Sequence, residues 1–265
     1  MPYARIDGLN FYYECAGTGP RLLFISGSGG DLRVQPNVFA SPLAKAFDLA
    51  AYDQRGLGRT NKPDVPYSMA QYGDDAAALM DHLGWEDALV VGVSFGGMVA
   101  QELVLRHPRR VRKVVLACTS PGGKGGASYP FHEIEHLTGE ARARHMIPIS
   151  DTRRDAAWAA ANAEDYERFV ELAAADPYAD EPGHAAGAHR QFEARAKLDT
   201  WDRLPSITCP VLIAAGRYDG IALPATQERM AARIPDAELK WFEGGHLFMI
   251  QDRTAYRAII EFLNG

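Results

Sequence analysis

The run Gly92-Val93-Ser94-Phe95-Gly96-Gly97 is a G-x-S-x-G placed where an apolar, β-branched run gives way to a helical pattern. A serine on such a strand-to-helix turn is held in a strained backbone conformation, and its neighbours must lack a Cβ if strand and helix are to approach. The strain, about 1–3 kcal/mol, persists only where the fold enforces it. In return, the hydroxyl stands at a helix N-terminus whose dipole favours developing negative charge. A serine hydroxyl becomes a strong nucleophile only when a base takes its proton. Of the eight histidines, only His246 follows the β-rich segment near the C-terminus, in Glu243-Gly244-Gly245-His246. His82 and His107 fall on expected helices, and the other five lie in a middle segment. The imidazole in turn needs a carboxylate to fix its tautomer and stabilise its charged form. Asp219, in Gly216-Arg217-Tyr218-Asp219, follows an apolar strand at the end where α/β sheets place ligands. Asp236 precedes a strand and so belongs to the opposite edge, while Asp199 and Asp202 close the middle segment. The candidate catalytic residues are therefore Ser94, Asp219 and His246.

Positioning three side chains so far apart in sequence requires a rigid frame. Leu9–Cys15, Arg21–Ile25, Phe47–Tyr52, Ala88–Val93 and Val111–Thr119 read as strands, rich in β-branched, aliphatic and aromatic residues and closed by turn residues. Ser68–Leu83 and Phe95–His107 read as helices: Ala76, Leu79, Met80 and Leu83 form one apolar stripe, and Pro108 stops the second helix. After Thr119 comes the glycine-rich hinge Ser120–Gly126, then residues 127 to about 203, rich in Ala, Arg, Glu and His and expected to be helical. Strands return at Pro210–Gly216 and Glu238–Glu243, with helices at Pro224–Ile234 and Asp252–Leu263. Alternating strands and helices imply a mostly parallel central sheet flanked by helices, an α/β fold. Residues 1–119 and 204–265 would form that core, and 120–203 a helical cap inserted into it.

Composition agrees with such a fold. The 265 residues are 47% hydrophobic and 23% charged, ordinary for a globular chain. A net charge of −6 argues against nucleic acid as a partner. No run reaches the roughly 18–20 apolar residues of a membrane span, and residues 1–10 lack a signal-peptide pattern. Three scattered cysteines fit a reducing compartment, so a cytoplasmic location is expected.

The order Ser94…Asp219…His246 resembles that of the α/β-hydrolases. Two further segments carry the resemblance: Asp53-Gln54-Arg55-Gly56-Leu57-Gly58-Arg59-Thr60 is similar to that family's D-x-R-G-x-G-x-S, and Phe24-Ile25-Ser26-Gly27-Ser28-Gly29-Gly30 to its H-G-x-x-G oxyanion loop. The resemblance spans nearly the whole chain and is nearest to cap-bearing esterases and lactonases of the 3-oxoadipate enol-lactonase type. It implies a serine hydrolase acting on a small to medium ester or lactone, without metal or organic cofactor. It also implies an oxyanion hole made by the backbone N–H groups of Ser28 and Phe95. Ser26 stands where the family usually has histidine, and Asp53 and Arg55 are read as holding a loop.

Other readings remain open. Carbon–carbon bond hydrolases share this triad, and some proteins of the fold act as slow-turnover receptors for small ligands. His132-Glu133-Ile134-Glu135-His136 matches H-E-x-x-H, which on an α-helix sets two imidazoles on one face for zinc. Here it follows Pro130 and lacks an apolar helix core, so it reads as a polar face of the cap. Of the cap's aromatics, Phe131, Trp158, Tyr166, Phe169, Phe192 and Trp201, some should roof a pocket over Ser94. Arg142, Arg144, Arg153 and Arg154 would meet an anionic substrate or simply face solvent.

Overall fold

A computed structural model describes residues 2–265. Its strands are β1 Tyr3–Ile6, β2 Leu9–Ala16, β3 Arg21–Ile25, β4 Asp48–Tyr52, β5 Ala88–Val93, β6 Val111–Ala117, β7 Val211–Gly216 and β8 Glu238–Phe242. They form one sheet in the order β1-β2-β4-β3-β5-β6-β7-β8. β2 runs antiparallel to β1 and β4, and all pairings from β4 through β3 to β8 are parallel. The helices are α1 Leu43–Ala46, α2 Met69–His82, α3 Phe95–Arg106, α4 Gly139–Ser150, α5 Ala156–Ala161, α6 Ala163–Ala174, α7 His184–Ala196, α8 Pro224–Arg233, α9 Phe248–Gln251 and α10 Ala255–Asn264.

The period-two alternation of the strands divides the core into two layers. Leu23, Ile25 and Val90 pack with residues of α2, α3 and α8 on one face of the sheet. Leu22, Leu89 and Val91 pack with α1, α9 and α10 on the other. Burial on both faces explains why β5 and β7 are apolar along almost their whole length. Each such side chain removed from water contributes about 1.5–3 kcal/mol, which holds the strand ends rigid enough to carry a site.

β1 is absent from the sequence-based expectation. Only four residues long, it pairs with β2 through a two-residue turn at Asp7 and Gly8, with φ of 45° and 77°. Both positive angles belong to the hairpin turn that Asp-Gly favours.

The segment between β6 and β7 carries α4 to α7, as its composition suggests, but its beginning is not helical. Residues 120–138 form an irregular strap with short 3-10 turns at Gly123–Gly125 and Phe131–Ile134. The H-E-x-x-H residues therefore lie on a tight turn and its exit, and the i, i+4 face that two zinc-binding imidazoles require is not built. Among the described residues no three His, Cys, Asp or Glu side chains are grouped as a metal ion would need. The insertion's own apolar cluster is small: Ala143, Ile147 and Val170, with Tyr166 and Phe169 against them. No helix among the described residues is long and apolar enough to cross a membrane.

Candidate active site

Ser94 caps the turn from β5 into α3 with φ 55° and ψ −114°, a left-handed conformation for a residue that has a Cβ. The sequence makes this turn possible by leaving out side chains around it. A Cβ on Gly96 would overlap the Ile25 carbonyl, and one on Gly97 would come within 2.6 Å of the Thr119 Cβ. The serine is also pinned from β6 and its exit: its N–H donates to the Ala117 carbonyl at 2.8 Å, and the Thr119 hydroxyl donates to its carbonyl at 2.7 Å.

The structure brings the three separated residues together. Ser94 Oγ lies 2.8 Å from His246 Nε2, and His246 Nδ1 lies 2.9 Å from Asp219 Oδ2. Asp219 is buried in the loop after β7, and its second oxygen accepts the N–H groups of Ile221 and Ala222 at 2.8 and 2.9 Å. Both carboxylate oxygens are thus engaged and the side chain has no freedom to rotate. His246 stands on the loop after β8, and the two loops touch: a Cβ on Gly216 would overlap the Gly245 carbonyl. Burial, reinforced by the Asp219 carboxylate, pushes the thiol of Cys118 well up, so it stays a neutral thiol.

The insertion holds these loops in place. The end of α4 presents the Ile149 carbonyl to the Gly220 N–H at 3.0 Å and the Ser150 carbonyl to the His246 N–H at 2.6 Å. Gln251 accepts the Gly245 N–H at 2.8 Å and donates to Asp151 Oδ2 at 3.1 Å. Asp151 is buried, which by itself raises its pKa. The guanidinium and N–H of Arg153 more than offset this and hold the carboxyl below its ordinary range. Sequence reasoning does not single out Gln251 and Asp151, because the contact that joins them spans 100 residues and neither belongs to a recognisable motif.

Phe95 follows Ser94 directly, and Ser28 lies on the glycine loop that approaches it. Phe95 opens α3, where a helix leaves its first N–H groups without intrahelical acceptors. Neither the Phe95 nor the Ser28 N–H has a hydrogen-bond acceptor among the described residues. The glycine loop passes close by, since a Cβ on Gly27 would sit 3.5 Å from that of Ser94. This loop is held by Gln54, which donates to the Ser26 carbonyl at 2.8 Å, and by Gln191 of α7, which accepts the Gly29 N–H at 3.0 Å. Asp53 accepts the N–H groups of Leu32 and Arg59, both at 2.8 Å, while burial pushes its carboxyl up to about 6. Arg55 forms a two-toothed pair with Asp75 at 2.9 and 2.7 Å. Asp53 and Arg55 are thus engaged in holding loops together.

A cavity of about 100 Å³ opens between the strap and α7. Ser94, Asp219 and His246 are not among its walls, but Met98, one helical turn beyond Ser94, is. Phe131 and Phe192 both line it and stack on each other with ring centroids 5.6 Å apart. A second stacked pair in the insertion, Trp158 and Phe169, has its centroids 6.0 Å apart, with Phe169 packed against the small cluster of α4 and α6. Of the arginines singled out from sequence, Arg144 pairs with Glu167 and Arg153 with Asp151, while Arg154 covers Phe169 and Arg142 covers the Phe131–Phe192 pair.

Comparison with known proteins agrees with this architecture. Residues 20–252 match the family model described as alpha/beta hydrolase fold. The chain is 29% identical over 258 residues to 3-oxoadipate enol-lactonase 2 of Acinetobacter baylyi, covering 97% of this chain and 93% of that protein. It is 32% identical over 289 aligned positions to RutD of Caulobacter vibrioides, named as a carbamate hydrolase, covering 100% and 98%. Among solved structures, the enol-lactonase from Burkholderia xenovorans LB400 superposes with a TM-score of 0.80 at 26% identity, covering 100% of both chains. With its fold, its strand order and the family match in agreement, this chain is a hydrolytic enzyme of the α/β-hydrolase fold family.

Proposed function

We propose that the protein is a serine hydrolase that cleaves a small to medium carboxylic ester or lactone through an acyl-enzyme. The observation that carries this reading is the unbroken chain from Ser94 Oγ through His246 to Asp219, at 2.8 and 2.9 Å, set on a left-handed turn. His246 Nε2 takes the Ser94 proton as Oγ attacks the carbonyl, and Asp219 stabilises the imidazolium that forms. The N–H groups of Ser28 and Phe95 receive the oxyanion, and one such donor is worth about 2.7–4 kcal/mol in the transition state. His246 then protonates the leaving oxygen, and water activated by the same imidazole releases the acid. Side-chain and backbone groups already in place supply every step, so no cofactor enters this scheme. Residues 120–203 serve as a lid whose α4 end fixes the acid and base loops. The three free cysteines favour a cytoplasmic setting.

Steady-state assays with p-nitrophenyl acetate, p-nitrophenyl butyrate and a γ-lactone test the reading. Turnover of at least one, abolished in both Ser94→Ala and His246→Ala, is the expected result. Turnover of none, or turnover that survives Ser94→Ala, would remove the serine ester hydrolase from consideration.

A further inference from the structure

Gln191, on the buried side of α7, is an amide of which only one end is engaged. Its Oε1 accepts the Gly29 N–H at 3.0 Å, while its Nε2 has no partner although the residue is fully buried. A buried amide with an unpaired donor adds little to stability, and an apolar side chain of the same length would fill the space without that penalty. Gly29 is itself exposed, so solvent is at hand for its N–H. The contact therefore fixes a geometry more than it satisfies a donor.

The glycine loop shows which geometry. The Gly30 N–H donates to the Gly27 carbonyl at 3.2 Å, and Gly29 has φ of 69°. Residues 27–30 thus form a tight turn with Gly29 in its third position, where a positive φ calls for glycine. Such a turn leaves the N–H groups of its two central residues, Ser28 and Gly29, outside its own hydrogen bond. Gln191 takes that of Gly29, and that of Ser28 is the donor proposed for the oxyanion. From the sheet side, Gln54 holds the Ser26 carbonyl, just before the turn. A glutamine of the core and a glutamine of the insertion therefore pin the turn between them.

α7 is seated on the same loop that carries Gln54. A Cβ on Gly187, one helical turn before Gln191, would overlap the Gly56 carbonyl, so only glycine lets the helix come this close. Beyond the turn, Arg33 pairs with Glu181 and lies 3.5 Å from the centre of the Tyr178 ring, two residues just ahead of α7. The insertion thus grips the glycine loop at two points, and Gln191 is the one inside the turn.

We propose that Gln191 is a positioning residue for the oxyanion hole: by holding the Gly29 N–H it fixes the Ser28–Gly29 peptide, so that the Ser28 N–H is correctly placed only while α7 is seated on the core. The proposal rests on the serine hydrolase reading and deepens it, since the insertion then completes the oxyanion hole.

The test uses two variants and two readouts. Gln191→Met removes the acceptor and keeps the length of the side chain, whereas Gln191→Glu keeps an acceptor in either protonation state. The first readout, hydrogen–deuterium exchange at the Gly29 amide, is independent of any chemistry. Exchange should be at least tenfold faster in Gln191→Met than in wild type, and near the wild-type rate in Gln191→Glu. The second readout is hydrolysis of p-nitrophenyl acetate and butyrate. In Gln191→Met kcat should fall about 10–100-fold with KM nearly constant, while Tm stays level. Exchange unchanged in Gln191→Met, exchange raised equally in Gln191→Glu, or a loss confined to KM would overturn the proposal. If Gln191→Met does not fold, Gln191→Asn, whose amide is one carbon shorter, takes its place with the same expectations. The two readings fail separately. A wild type that hydrolyses neither ester would remove the serine hydrolase and the oxyanion role with it, whatever the exchange shows. A wild type that hydrolyses either one, with kcat intact in Gln191→Met, would remove the positioning role alone.

Discussion

Two buried arginines show how differently the sheet and the helical insertion are built. Arg55, beside β4, lies against Asp75 of α2 in a paired fork, with both side chains about 5% exposed or less. Arg195, in the insertion, is nearly as buried and has two neutral acceptors, an aromatic ring and no carboxylate. On the sheet side the buried arginine has its carboxylate, and both faces of the strands are covered. The insertion is small in apolar core and rich in surface ion pairs. On the proposed reading this is a division of labour, with the sheet carrying Ser94, Asp219 and His246 and the end of α4 bracing the loops that hold the last two.

Several substitutions would break or sharpen that division. The largest effect belongs to the sheet. Ser94→Ala should lower kcat by about 10⁴–10⁶-fold with Tm little changed, and equal losses of rate and Tm would mean the residue is structural. Next come the two arginines. Arg55→Met leaves Asp75 as an unpaired buried carboxylate and should cost about 3–5 kcal/mol, a fall of roughly 6–20 °C in Tm for a chain of this size. Arg195→Met leaves no orphaned partner charge, so its Tm should stay level or rise. Thermal melts that rank the two the other way would remove the distinction between the regions.

A smaller effect tests the contact between them. Gln251→Ala releases the loop of Gly245 and His246 from Asp151, and misplacing a general base by about 1 Å can cost on the order of 10²-fold in rate. We expect kcat to fall about 10–100-fold with KM nearly constant, read from initial rates, while a change confined to KM would contradict a positioning role. The smallest effect is pH-dependent. Asp151 has its pKa lowered in the folded protein, so its contribution is present above the unfolded value of about 3.9 and is lost as pH falls through the folded value. The difference in Tm between wild type and Asp151→Asn should therefore be largest near neutrality and shrink below about pH 4.

How much of this was legible in the sequence follows the same boundary. The bounds of β3 and β5 and the separate positions of Ser94, Asp219 and His246 can be read directly, because apolar runs and glycine turns are local signals. β1 escapes a reading of the sequence because four residues carry too little alternation, although Asp7-Gly8 is itself a hairpin signal. The insertion was opaque for a physical reason. Its arginines are numerous, and sequence alone does not tell which of them has a partner. Arg142, Arg144, Arg153 and Arg154 stood out, yet Arg144 and Arg153 are engaged by carboxylates. Arg195 does not stand out in the sequence, although Gln191, Ala194, Arg195 and Leu198 recur at helical spacing and all four are buried. Polar residues among them hide such a stripe from any reading that looks for apolar periodicity.

The central claim is that Ser94, activated by His246 and Asp219, is the nucleophile. Its most direct test is the intact mass of the protein after treatment with a fluorophosphonate, for wild type and Ser94→Ala, with the modified peptide located by fragmentation. The account predicts one adduct, on Ser94, that is absent from the variant. An unmodified wild type, or an adduct that persists in Ser94→Ala, would contradict it.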